Sequence, residues 1–359
     1  MKEGKKINLY IVFGFLIILI YMLLAIKPLK KELCFEPEKT IVLSELVGEQ
    51  PFFKDAGKKP TFCFRLAKYA GYLTEDAEPV FVAQYPYKAA LSDSVWTFYN
   101  NDSESVSVQN IDGSLKTVLG TAGFPFFQND RLFVFLPNGN AVKEFEYFGR
   151  EKWVYENYAP ITAFNSSESE CVMGFADGEL VCLDSYGRQN FSFYPHGSSK
   201  EVILGADINS KQKLVACVCG IDKQRFILSS YANDQQKVIF HEYLNGNIRQ
   251  PVFVKFGKIR NVVYFQCQDG LGIADCKKFK VSIIPMEETI RQVEEIENLG
   301  ITLILAEKDN NWIVYLFENA EYRVGYLPFT AESAFINAVD DGFFLGKDDS
   351  VSKIKITYK

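Results

Sequence analysis

Histidine is nearly absent from this chain, with two in 359 residues, His196 and His241. That scarcity does not by itself exclude a Ser-His-Asp or Cys-His site, which needs only one, but neither histidine sits in a nucleophile motif. His196 lies in the loop-like YPHGSS and His241 follows a strand-like run, so structural roles are expected for both. No Cys-x2-Cys pair occurs among the eight cysteines, which removes a zinc ribbon. Gly-Lys-Ser and Gly-Lys-Thr are missing after GTAGFPFF at Gly120, so that segment is a connection rather than a phosphate loop. Asp340-Asp341 and Asp348-Asp349 lack the spacing of a calcium-binding loop and suit solvated turns. No catalytic residue, metal site or cofactor is expected from these patterns, and the residues of any cofactor-binding site stay unknown.

Basic clusters are also lacking outside the N-terminus. The first 31 residues carry six Lys against one Glu, a net +5 within a total of −6, so the remaining chain stands at −11. Such a body is poorly suited to nucleic acid, whose phosphates need clustered Lys and Arg. The lysines flank one long apolar run, INLYIVFGFLIILIYMLLAI at 7–26. Twenty helical residues rise about 30 Å, the thickness of a bilayer core. The sequence therefore leads to an expected transmembrane signal anchor at 7–26 after a short cytoplasmic tail at 1–6. A stalk or linker at 27–60 and a folded body at 61–359 follow. A single-pass membrane protein with its body on the extracytoplasmic side, periplasmic or extracellular, is the corresponding expectation.

What the body has in abundance is aromatic and β-branched residues, including 31 Phe and 19 Tyr, which favour pleated surfaces. It also repeats itself. FGREKWVYENY at 148–158 and YGRQNFSFYP at 186–195 share an aromatic-Gly-Arg phrase, with glycines 38 residues apart. Extended backwards, each phrase ends a unit of strand, turn, strand, turn, strand. The first turns are Asn138-Gly139 and Asp177-Gly178, strong hairpin signals because both residues accept positive φ. Comparable turns fall near positions 101, 138, 177, 222, 269, 309 and 348, a period of about 40 residues that matches a propeller blade.

The expected fold is all-β: a β-propeller of about seven four-stranded blades, preceded by one N-terminal transmembrane helix. PMEETIRQVEEIENL at 285–299 has helical spacing, yet its place in the repeat matches the strand-like IRQPVFVKF one unit earlier, so an extended segment is expected. The last unit ends without an outermost strand. PVFVAQYPY at Pro79–Tyr87 is the expected segment that closes the ring. Paired across a two-residue turn, Cys171 would face Asp184 and Cys182 would face Met173. The thiols would then miss each other, and most cysteines would serve as core residues. Cys34 is expected as an ordinary thiol in the stalk.

The phrase carried by Leu183, Asp184, Gly187 and Phe191 resembles blades of the pyrroloquinoline-quinone-type propellers. The resemblance is to a repeat pattern over roughly residues 90 to 359. Trp153 occupies the usual docking-tryptophan place and Phe191 stands in for it in the next unit, while full docking motifs are absent. No Gly-His or Trp-Asp dipeptide occurs, so the WD40 pattern fits less closely. The resembled superfamily holds both quinoprotein dehydrogenases and a non-enzymatic outer-membrane assembly lipoprotein. It implies two functions: a membrane-anchored scaffold or assembly factor that binds a protein partner, or a quinone-dependent dehydrogenase or small-ligand-binding propeller. The missing catalytic pattern favours the scaffold.

Overall fold

The structure is a computed structural model and describes residues 9–25, 33–48, 50–54, 57, 61–233, 235–319 and 322–358. The expected tail at 1–6, the flank at 26–32 and the turn residue Asp234 lie outside these residues. Eight four-stranded antiparallel sheets follow one another. Their inner strands are Thr61–Leu66, Lys88–Leu91, Phe124–Gln128, Ile161–Ser166, Ile203–Asn209, Val254–Phe256, Thr289–Ile296 and Ala334–Val339. The seven turns read from the sequence are the middle hairpins of blades two to eight. Thr289–Ile296 is a strand followed by a single 3-10 turn, so position in the repeat overrides local helix spacing.

The blade count is therefore eight, which corrects the expected seven. The first blade was hidden for two physical reasons. Its middle turn, between Tyr69–Thr74 and Pro79–Gln84, has no glycine or asparagine, and the positive φ of 57° falls on Ala77. Its outermost strand, Phe52–Phe53, comes from upstream in the chain, so the interval to the next unit is short by one strand. Ring closure follows a similar logic. Leu33–Val42 pairs with Ser350–Tyr358 along its length, from Leu33 opposite Tyr358 to Val42 opposite Ser350. The N-terminal strand thus supplies the missing outer strand of blade eight, in place of the expected Pro79–Tyr87. The expected stalk is largely part of the propeller, because residues 33–53 give the outer strands of both the last and the first blade. Cys34 belongs to that closing strand.

The expected membrane anchor does not stand. The N-terminal helix Leu9–Ala25 has 17 residues and rises about 25 Å, short of the roughly 30 Å of a hydrocarbon core. Among the described residues no helix is long and apolar enough to cross a membrane. The expected single-pass localisation, and the extracytoplasmic placement that depended on it, fall with the anchor.

Stacking buries both faces of sheets that could not bury them alone. Phe64 stacks on Phe335 across the closing seam, at 5.8 Å between ring centroids, and Phe81 stacks on Trp96 between blades one and two at 4.6 Å. All eight cysteines are free, and six are buried, as core roles require. Burial raises the Cys171 thiol to about 12 and the Cys276 thiol to about 11, which keeps both protonated. Cys171 faces Leu183 and Cys182 faces Val172, one residue from the expected register. The turn between them holds three residues instead of two: Phe175 N–H donates to Glu179 O, and Gly178 takes the positive φ, 89°.

Candidate functional site

In an up-and-down blade, the first and third turns lie at one end of the ring, and the second turn and the inter-blade connection lie at the other. The two aromatic-Gly-Arg phrases are third turns of blades three and four, so they share an end. Gly149 and Gly187 have φ of 92° and 77°, and each N–H closes the turn on the carbonyl of the acid three residues back, Glu146 or Asp184. Arg150 and Arg188 each return to that acid at 2.8 Å and lie over Phe148 and Tyr186 at 5.5 and 5.2 Å from the ring centroid. Phe148 is 70% exposed and Tyr186 74%. The repeated phrase therefore builds a rigid turn that presents an aromatic ring and a guanidinium to solvent.

Each turn also leans on the preceding blade. A Cβ on Gly149 would come within 2.5 Å of Thr117 Oγ1, and one on Gly187 within 2.5 Å of the Trp153 ring. Thr117 and Trp153 lie on the outer strands Leu115–Leu119 and Glu151–Glu156. Trp153 thus docks as its place in the repeat implied. Those same outer strands expose Leu115, Val118 and Val154. The rim of blades two to four thus exposes Leu115, Val118, Phe148, Val154 and Tyr186, and exposed apolar groups on neighbouring elements can mark contact surfaces.

The ring's centre offers a second kind of site. Inner strands of blades three to six line a channel of about 860 Å³, within the size range of small-molecule pockets. Its polar side chains are used to join blades. Gln128 accepts from Ser166 N–H at 2.9 Å, Thr162 donates to Ile203 O at 2.6 Å, and Asp207 accepts from Phe256 N–H at 2.6 Å. Lys255 donates to Val293 O at 2.7 Å, and Gln292 accepts from Ile336 N–H at 2.8 Å. Each side chain reaches the backbone of the next blade, so the belt repeats with the blades.

Outside the channel two carboxylates are buried where blades three, four and five meet. Glu144 takes Arg131 through both oxygens, at 3.1 and 2.5 Å, and Lys152 at 2.6 Å. Glu170 takes Tyr231 at 2.6 Å and both Lys213 and Asn190 at 2.8 Å. Sequence patterns missed these groups. The usable signal was a charge at a core-facing position of an apolar strand, as in RLFVF at 131–135 and AVKEF at 141–145.

The other residues singled out by sequence remain dispersed. His196 contacts Glu201 at 2.9 Å in an exposed loop, and His241 lies inside the outer strand Gln235–Tyr243 rather than after it. Asp348 Oδ1 accepts from Glu332 N–H at 2.7 Å and Asp349 accepts from Ser44 at 2.8 Å, so both organise turns. Among the described residues no group of three His, Cys, Asp or Glu is placed to hold a metal ion.

A beta-propeller family model matches residues 1–358. A Treponema pallidum (strain Nichols) protein described as uncharacterized is 32% identical over 361 residues, covering 99% of this chain and 96% of that one. Among solved structures, BamB from Moraxella catarrhalis aligns with a TM-score of 0.61 at 10% identity, over 90% of this chain and 100% of that one. The computationally designed Ika8 protein aligns at 0.60 and 13% identity, over 84% and 97%. Saccharomyces cerevisiae Sqt1 aligns at 0.53 and 13%, over 71% and 77%. At these identities the solved structures speak to fold alone. With a family model matched along nearly its whole length, this chain belongs to the beta-propeller proteins.

Proposed function

We propose that this propeller is a protein-binding scaffold and that the rim of blades two to four is its partner-facing surface. The observation that carries this reading is the pair of rigid aromatic-arginine turns on adjacent blades, set beside exposed Leu115, Val118 and Val154. Aromatic and Arg side chains dominate binding hot spots, and side chains already fixed before contact lose little entropy on binding. The likeness to BamB supports a scaffold at the level of the fold.

The test is site-specific photocrosslinking in cells of the source organism. A photoreactive phenylalanine analogue is placed at Phe148, at Tyr186 or, as control, at Tyr158. Tyr158 is fully exposed in the connection between blades three and four, at the other end of the ring. The scaffold reading expects one protein captured from 148 and 186 and not from 158. Equal capture from all three positions, or none, would overturn it.

A second reading, a small-ligand-binding or dehydrogenase propeller, is favoured by the 860 Å³ channel. It predicts a chromophore or a tightly held small molecule released when the protein purified from its source is denatured.

A further inference from the structure

Asp207 is a carboxylate of the channel belt that joins two blades through backbone N–H groups. Asp207 lies on the inner strand of blade five and is only 8% exposed. One oxygen accepts from its neighbour Ile208 at 2.8 Å, and the other accepts from Phe256 of blade six at 2.6 Å. The partner strand, Val254–Phe256, is three residues long, the shortest inner strand of the eight. It is also tied to blade five by Val252 N–H donating to Leu204 O at 2.9 Å. The seam leaves no slack, since a Cβ on Gly205 would sit 2.3 Å from Val252 O.

The charges around Asp207 are few. Lys255, on the facing strand, is spent on Val293 O and Glu294. Asn165 faces from blade four through its bond to Ala206 O, and Ala216 lies opposite on the next strand of blade five. Lys258, Glu297 and the Lys211–Glu168 pair, at 3.6 Å, line the channel further along. No cation bonds directly to the carboxylate among the described residues.

We propose that the seam between blades five and six is a pH-responsive joint, titrated by Asp207, that opens more readily as pH rises. Burial raises the Asp207 carboxyl to about 7, against the bonds from Phe256 and Ile208 and the pull of Lys255. Opening the seam returns the group to water, where a carboxyl titrates near 4. From about pH 4 to 7 the open form is ionised while the closed form keeps its proton, so opening releases a proton and becomes easier with each pH unit. Above about 7 both forms are ionised and the dependence stops. This joint is independent of the scaffold reading, because it concerns the channel wall and needs no partner.

The experiment is hydrogen–deuterium exchange on the full chain from pH 4.5 to 8.5, corrected for the intrinsic pH dependence of exchange. Protection of the segment around Val252–Phe256 is expected to fall by up to about tenfold per pH unit as far as pH 7 and then level off. Asp207→Asn should give a flat profile over the same range. Lys255→Gln removes the nearest cation and should move the levelling point to higher pH. A wild-type profile that is flat, or that matches Asp207→Asn, overturns the proposal. So does an equal fall at the seam between blades four and five, because that would report the whole ring. Should Asp207→Asn fail to fold, an unmoved levelling point in Lys255→Gln is the overturning result.

Discussion

The seams on opposite sides of the ring share packed rings, as where Phe164 of blade four meets Phe133 and Phe135 of blade three at 4.9 and 5.0 Å, but one side also buries charges. Where blades eight, one and two meet, rings fill the space: Phe64 on Phe335, Phe62 on Phe344 at 4.6 Å, and Phe81 on Trp96. Where blades three, four and five meet, Glu144 and Glu170 lie buried among Arg131, Lys152, Lys213 and Tyr231. The aromatic seam gains from each buried ring roughly in proportion to area, and loses it piecemeal. The charged seam stands or falls as a set, because a buried ion without its partner costs far more than the pair contributes. The side that must close the ring uses the forgiving material. The side made of consecutive, uninterrupted blades adds the exacting one to it.

The comparison can be broken most directly at Glu144. Replacing it with Ala strands Arg131, which is 5% exposed, and should cost about 4 kcal/mol in urea unfolding. Pairing Arg131→Met with Glu144→Leu should recover most of that loss. A double mutant no better than the single one would mean that the charges are not the decisive part of this seam. On the aromatic side Phe335→Ala should cost about 3 kcal/mol, and a second truncation at Phe81 should add to it, since the two rings lie in different seams. Strong coupling between those two truncations would show that the aromatic seams also act as a set.

A pair of glycines sharpens the contrast between backbone strain and seam packing. Gly187 and Gly139 have φ of 77° and 74°. A Cβ would strike Trp153 at the first and meet nothing within 4 Å at the second. Gly139→Ala should therefore cost about 1 kcal/mol from conformation alone, and Gly187→Ala about 2 to 3 kcal/mol with the clash added. Equal costs would remove inter-blade docking from the account of the third turns. The smallest expected change is at the rim: Phe148→Ser should shift stability by less than about 0.5 kcal/mol while abolishing capture of the partner.

Sequence made the regular part of this molecule legible because each middle hairpin uses residues that accept positive φ, from Asn138-Gly139 to Asp348. It failed where the chain departs from that rule. Ala77 carries the positive φ of the first blade's middle turn, and neither Gly nor Asn stands there to announce it. The stretch 33–53 looked like a linker because its charges and its Pro37 suit an edge strand as well as a stalk. The bulge between Pro37 and Lys39 is how that strand accommodates the proline. The apolar run at 7–26 was legible as a helix, but its described length falls short of a span. The aromatic-Gly-Arg turns of the rim could be read as a repeat, and their exposure could not, because exposure depends on which blade each glycine leans against. The buried carboxylates were missed for other reasons: Glu144 pairs with Arg131 and Lys152 across the strands of its own blade, in a run that otherwise reads as apolar, and Glu170 reaches Lys213 and Tyr231 on the next blade, the latter 61 residues away.

Closure by the N-terminal strand also sets a timetable. Val42 waits for Ser350 and Leu33 for Tyr358, so the first strand made has no partner until about three hundred further residues have left the ribosome. At typical synthesis rates that wait is roughly 15 to 60 s. Throughout it a row of free backbone donors and acceptors is open to neighbouring nascent chains on the same message. Whatever holds that strand apart during synthesis decides how many molecules finish as closed rings and how many finish joined to one another.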